Sequence, residues 1–342
     1  MNKNLKGRKY YLAIASLITL IGFGSCANDI DIFTEYKEQA VIYGLIDLSE
    51  PVQYIKVGRT FLNPNATAAQ IAQISDSLYF KDVVVKLIEE NNGREIILSR
   101  VDSIPKDSGY FQNKENILYA TAESINPSAS YRLFVQNPIT GYAASAKTLI
   151  VGVPFVSFPV SLNNRYWSVA PELSIQLRFN SGINAKQQDA YFEFWVEEFD
   201  VLTPSIKELK HLRWRFVRNL KNETTSPGSK VNVSPGAGFY DFFLANLENG
   251  IFKSDSNYVR RIVKTDFVLY SASQDLVDYV EASTPGIGIV QKQTEYSNIE
   301  NGIGLFSSRS TLRIPNVIID SVSIAFFNSN RYPQYNKVRM VP

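Results

Sequence analysis

The stretch EQAVIYGLIDLSEPVQYIKVGRTFL, residues 38–62, decides the fold class. Two runs rich in Val, Ile and Tyr, 38–48 and 52–62, flank Ser49-Glu50-Pro51, a turn signal. Working outward, KDVVVKLIEENNGREIILSR (81–100) reads as a hairpin. Val83, Val85 and Leu87 alternate with Val84, Lys86 and Ile88, and Asn92-Gly93 supplies the turn. Between them, residues 65–80 are alanine-rich and fit a short helix. Residues 108–121 and 130–151 add strands, with turns at Asn137-Pro138 and Thr140-Gly141. Short strands with closely spaced turns predict a β-sandwich over 38–150.

Residues 151–164 carry two prolines and break the pattern, so a linker is expected there. The second half, 165–342, restarts with ELSIQLRFN (172–180), whose Leu173, Ile175, Leu177 and Phe179 alternate with polar residues. The runs 190–201 and 211–220 read as paired strands, and SPGSKVNVSPGAG as a loop. Residues 271–283 predict a short helix, with Ser271 or Ser273 as N-cap and Leu276, Val277 and Val280 as its apolar stripe. The expected class is therefore mainly β: a sandwich followed by a second β-rich domain with a short helix.

The N-terminus reads differently. Lys3, Lys6, Arg8 and Lys9 precede an apolar run from Tyr11 to Phe23, then Gly24, Ser25 and Cys26. A charged segment, a short apolar segment and small residues are the parts of a secretory signal over 1–25. The apolar run is shorter than the roughly 20 residues of a comfortable membrane span. Cys26 is the one cysteine of 342 residues, so an intrachain disulfide is excluded. Its position resembles the lipidated cysteine of bacterial lipoproteins. Residues 26–37 then form a tether, and Asp29 and Asp31 resemble the surface-export signal of Bacteroidota lipoproteins. Removing residues 1–25 takes four positive charges and no negative ones, so the formal charge passes from +2 to −2. Such a balance gives no general attraction to nucleic acid.

The lipoprotein-like start, EQAVIYGLID, ISDSLYFKDVVVKL, DSGYF, YRLFV with TGYAASA, and EYSNIENGIGLFSSR together resemble an outer-membrane lipoprotein family of unknown function from Bacteroidota. Its members are often encoded beside TonB-dependent receptors. The resemblance implies an Ig-like or transthyretin-like N-terminal sandwich with a second β-rich domain. It implies an outer-membrane location, lipid-anchored through Cys26 on the cell-surface side, and a β-barrel partner: a TonB-dependent receptor or an assembly or secretion machine. It carries no catalytic residues and no cofactor.

The residue inventory points the same way. His211 is the one histidine, so zinc and Cys-His or Ser-His sites lack partners. Glu193 and Glu197 would share a strand face with Trp195 between them, a layout that glycosidases use and ordinary exposed strands also show. Lys207, Lys210, His211, Arg213, Arg215, Arg218 and Lys221 form the strongest basic cluster, with Arg213 and Arg215 on one face and Leu212, Trp214 and Phe216 on the other. It suits lipopolysaccharide phosphates or an acidic partner, or else a solvated strand face. Tyr166, Trp167, Phe239 and Tyr240 fall in loop-like stretches and are candidate partner contacts. Asp-Ser-aliphatic triplets place candidate O-glycosylation at Ser77, Ser103 and Ser321. In TEYSNIENGIGLFSSRS (294–310), Asn301, Gly302 and Gly304 lack the third glycine of a dinucleotide loop. They read as a turn whose glycines take positive φ, feeding the strand Ile303–Phe306. The expected function is a non-enzymatic accessory or ligand-capturing subunit of a β-barrel complex. The alternatives are a free-standing glycan or peptide binder and a carboxylate hydrolase.

Overall fold

The computed structural model describes residues 38–61, 67–71, 73–106, 115–158, 166–170, 177–222, 230–233, 238–284 and 295–342. Cys26, Asp29, Asp31, the signal segment and the first half of the strand expected over 172–180 lie outside the described residues. The N-terminal half comprises β1 (Ala40–Asp47), β2 (Gln53–Arg59), the short helices α1 (Ala68–Ile71) and α2 (Ser75–Leu78), β3 (Val84–Glu89), β4 (Glu95–Ile97), β5 (Ser99–Val101), β6 (Leu118–Thr121), β7 (Ser130–Gln136) and β8 (Ala143–Leu149). After it come β9 (Phe155–Phe158), β10 (Tyr166–Trp167), β11 (Leu177–Asn180), β12 (Gln187–Asp200), β13 (Lys207–Lys221), β14 (Lys230–Val233), α3 (Gly238–Glu248), β15 (Tyr258–Ala272), α4 (Gln274–Ser283), β16 (Gly302–Ile314), β17 (Ile318–Ile319), α5 (Ser321–Phe326) and a 3₁₀ helix (Pro333–Val338).

The chain is mainly β, as its pattern predicts. One sheet of eight strands, in the order β13-β12-β15-β16-β1-β2-β6-β5, runs through both halves. Its centre is a parallel pairing of β1 with β16 over eight positions, from Ala40 opposite Gly302 to Asp47 opposite Arg309. A four-stranded sheet, β4-β3-β7-β8, packs on the β1–β2 end. The alternation read from the sequence fills this sandwich: Ile42, Ile55 and Val57 face Val85, Leu87, Leu133 and Val135 in one core. The second core lies beneath β12, β13 and β15, where Phe192, Phe194, Trp214 and Phe267 meet Phe239, Tyr240 and Phe243 of α3. Burying each such ring contributes about 1.5–3 kcal/mol.

Two expectations change. The 151–164 stretch is not a free linker at its start. Val151 is buried and its N–H donates to Ser308 Oγ at 3.0 Å. Gly152 packs so closely on Gly182 that a Cβ there would overlap the Gly152 backbone, and β9 pairs with β11. The N-terminal sandwich also borrows Ile299 and Phe306 from the far end of the chain.

The second change concerns the glycine turn. Asn301 and Gly304 take positive φ, +54° and +119°, but Gly302 does not; it is the first residue of β16. Gly302 is there for space, since a Cβ would sit 2.9 Å from the Ala40 carbonyl oxygen and from Ile299 Cγ2. The loop is tied to β8, where the Asn301 amide donates to the Ala143 carbonyl at 2.6 Å.

Candidate functional site

The outward face of the large sheet is the chemically richest surface. Alternation sends Phe192, Phe194 and Val196 of β12 into the core and turns Asp189, Tyr191, Glu193, Trp195 and Glu197 outward. The same rule turns Arg213 and Arg215 outward on β13 while Leu212 and Trp214 are buried, as the sequence indicates. Tyr270 of β15 and Arg309, Thr311 and Arg313 of β16 complete the face by register. Helix α4 lies against it: Tyr279 meets Tyr43 of β1 edge-on, with ring centroids 6.3 Å apart. Ser273 precedes the helix, its hydroxyl 2.5 Å from that of Ser307.

Between α4 and the sheet is a cavity of about 400 Å³. Tyr191 and Tyr270 form its floor, edge to face at 5.6 Å. Arg213 lies over Tyr191 at 4.0 Å and over Tyr270 at 5.2 Å. Arg309 reaches Tyr270 from β16 at 5.8 Å. Such cation–π contacts contribute about 0.5–2 kcal/mol each, more as water is excluded. One Nη of Arg215 donates to both Asp189 carboxylate oxygens at 2.7 Å and to Asn219 Oδ1 at 2.7 Å. The β12–β13 ladder shifts register between Ala190 and Tyr191. Asn219, at φ +51°, donates its N–H to Asp189 at that irregularity. Leu276, Val277 and Val280 of α4 make the apolar wall. Burial, helped by the Asp189 charge and opposed by Arg215 and Arg213, raises the Tyr191 phenol above the ordinary tyrosine range. It therefore remains a protonated hydrogen-bond donor at neutral pH.

The three lysines of the expected basic cluster are divided among acids, while Arg218 donates from Nε to the Arg215 carbonyl at 3.3 Å. Lys207 pairs with Glu197, Lys210 with Glu198 and Glu208, and Lys221 with Glu281. This is a laced strand face rather than a free phosphate patch. Glu193 is held by Arg313 at 2.7 Å and by Arg213 at 3.4 Å. His211 stacks on Trp195 at 4.6 Å. Glu193 and Glu197 do share a face, but neither lines the cavity under α4. Among the described residues no group of three His, Cys, Asp or Glu is placed to hold a metal ion. No helix of the described residues is long and apolar enough to cross a membrane.

Three of the four aromatic candidates are core residues. Trp167, Phe239 and Tyr240 are fully buried, the latter two because 238–248 is a helix packed under the sheet rather than a loop. Tyr166 is exposed and borders a second, apolar cavity of about 260 Å³ with Val263, Ile318 and Ile324. Ser103 and Ser321 are exposed, while Ser77 is half-buried. Asp320 has a structural task of its own, accepting the Ser323 N–H at 2.8 Å as N-cap of α5.

Sequence reasoning found Arg213 and Arg215 but missed Tyr191, Tyr270, Asp189, Asn219 and Arg309. These come from three further strand segments and a bulge, and only the topology unites them. A scan against protein-family models and a search of curated proteins both return no match to the chain.

Proposed function

We propose that this protein is a non-enzymatic lipoprotein of the outer membrane, anchored on the cell-surface side through acylated Cys26. It acts as an accessory or ligand-capturing subunit of a β-barrel transport or assembly complex. The supporting observation is the tip of the β12–β13 hairpin. Val201, Leu202, Ile206 and Leu209 are 45, 74, 72 and 60% exposed there, at the end of two of the longest strands. Clustered exposed apolar side chains mark interaction surfaces. A lipid tether confines the chain to one membrane, so a barrel in that membrane is met at high effective concentration.

The cavity under α4 favours a free-standing binder as the second reading. The carboxylate hydrolase is the weakest. Glu193 and Glu197 are engaged by Arg313, Arg213 and Lys207, and neither lines the cavity under α4 or the one beside Tyr166.

A photo-cross-linking residue at Leu202, in cells that make the protein natively, tests the subunit reading. The expected product is one adduct with an integral β-barrel, absent when the cross-linker replaces exposed Ile97 on β4. No adduct at Leu202, or the same adducts from both positions, overturns it.

A further inference from the structure

The cavity under α4 brings three arginines onto one aromatic floor, and two of them make no hydrogen bond from their terminal nitrogens to the described residues. Arg213 meets Glu193 through Nε at 3.4 Å, and Arg309 donates to Asp47 from Nε at 2.9 Å. Among the described residues, neither donates a hydrogen bond from its terminal nitrogens. Both guanidinium groups lie over Tyr270, and Arg213 also over Tyr191, so the rings restrict where the forks sit. Arg215 shows what a satisfied neighbour looks like, with Asp189 and Asn219 on one Nη. Even there, its Nε is buried without a hydrogen-bond partner among the described residues.

Charge narrows the ligand. The cavity lining holds three arginines against one carboxylate, Asp189. Outside the lining, Asp47 offsets Arg309, Glu193 is shared by Arg213 and Arg313, and Asp266 by Arg313 and Lys264, so five cations meet four carboxylates and one positive charge is left for a monoanion to fill. Arginine forks match a carboxylate in two parallel bonds, and a pre-placed fork loses less freedom on binding. Across from the arginines, Leu276, Val277 and Val280 offer only hydrocarbon. A volume of about 400 Å³ is at the small end for ligand sites.

We propose that this cavity binds a small organic monocarboxylate with a short branched aliphatic body. The carboxylate sits on Arg213 and Arg309, and the body lies against Leu276, Val277 and Val280. The assignment rests on the ligand-capturing half of the function proposed above.

The test uses the full chain purified in detergent, titrated by calorimetry with 4-methylpentanoate and with its neutral isostere 4-methylpentanamide. The acid is expected to bind saturably and the amide about tenfold or more weakly, the loss expected when a charged hydrogen-bond partner is removed. Arg213→Gln is expected to weaken the acid by a similar factor. Val280→Trp fills the cavity from a half-exposed position on α4 and leaves the arginines untouched. It is expected to abolish binding while the unfolding midpoint stays in place. Acetyl-Gly-Leu separates two sources: tighter binding than the acid marks a peptide end, weaker binding a free acid, and either keeps the carboxylate assignment. Equal binding of acid and amide, no binding of either, or variants that bind like the parent overturns it. Barrel association is read on the same preparation, so retained association with absent ligand binding sinks this assignment alone.

Discussion

Gly304 is the position where the fold tolerates least. It sits at φ +119° in β16, and a Cβ built on it would lie 2.0 Å from the Ile42 carbonyl oxygen of β1. That oxygen is backbone in the paired strand, so no side-chain rotation relieves the overlap. Gly304→Ala must therefore change φ or push β1 and β16 apart. Backbone strain of this kind costs about 1–3 kcal/mol. Losing two ladder hydrogen bonds adds about 1 kcal/mol each. The expected loss is about 3–5 kcal/mol, a large fraction of a domain's usual stability. Gly250→Ala is the control: φ is +75°, with nothing within 4 Å of the added Cβ, so only about 1 kcal/mol of strain applies. Gly302→Ala should fall between them, since its conformation is ordinary but its Cβ meets Ala40 and Ile299 at 2.9 Å. Urea unfolding followed by the fluorescence of Trp167, Trp195 and Trp214 ranks the three. If Gly304→Ala costs no more than Gly250→Ala, the close parallel pairing of β1 and β16 is wrong.

Arg260 and Glu198 form a buried pair, with Arg260 Nη2 2.7 Å from Glu198 Oε1 and Nη1 donating to the Val338 carbonyl at 2.9 Å. Glu198→Ala strands a guanidinium and should cost about 3–5 kcal/mol in urea unfolding; a loss under about 1 kcal/mol would sink this reading. Burial, then the hydrogen bond and charge of Asp241, push the Tyr335 phenol up to about 12. A raised folded pKa favours the folded state below the ordinary tyrosine value, and that advantage is lost as pH rises toward 12. Stability should thus fall between about pH 10 and 12, with a shallower fall in Tyr335→Phe; an unchanged slope in that variant rules Tyr335 out as a contributor. Mass spectrometry of the mature N-terminus should find residues 1–25 gone and Cys26 acylated, and Cys26→Ala should leave the membrane fraction; an unmodified cysteine rejects the anchor.

Local pattern was legible where period and turn chemistry agree. The first hairpin, expected at 38–48 and 52–62, forms at Ala40–Asp47 and Gln53–Arg59. Asn92-Gly93 turns with Gly93 at φ +75°, and the helix expected over 271–283 runs from Gln274 to Ser283 behind Ser273. Helix α3 was missed because GFYDFFLANLE is aromatic and follows a Pro-Gly loop. Its stop signal was present: Asn249-Gly250, with Gly250 at φ +75°. The union of β1 with β16 was out of reach, since periodicity reports which face a strand buries and not which distant strand it meets. The candidate site shares that fate. Arg213 and Arg215 announce an exposed basic face, whereas Tyr270 and Arg309 join them only through the sheet order.

Co-purification from native membranes in mild detergent tests the central claim most directly. A tagged copy should bring down an integral β-barrel in near-equal amount. A protein that emerges alone across several detergent strengths, and after cross-linking, contradicts the subunit reading.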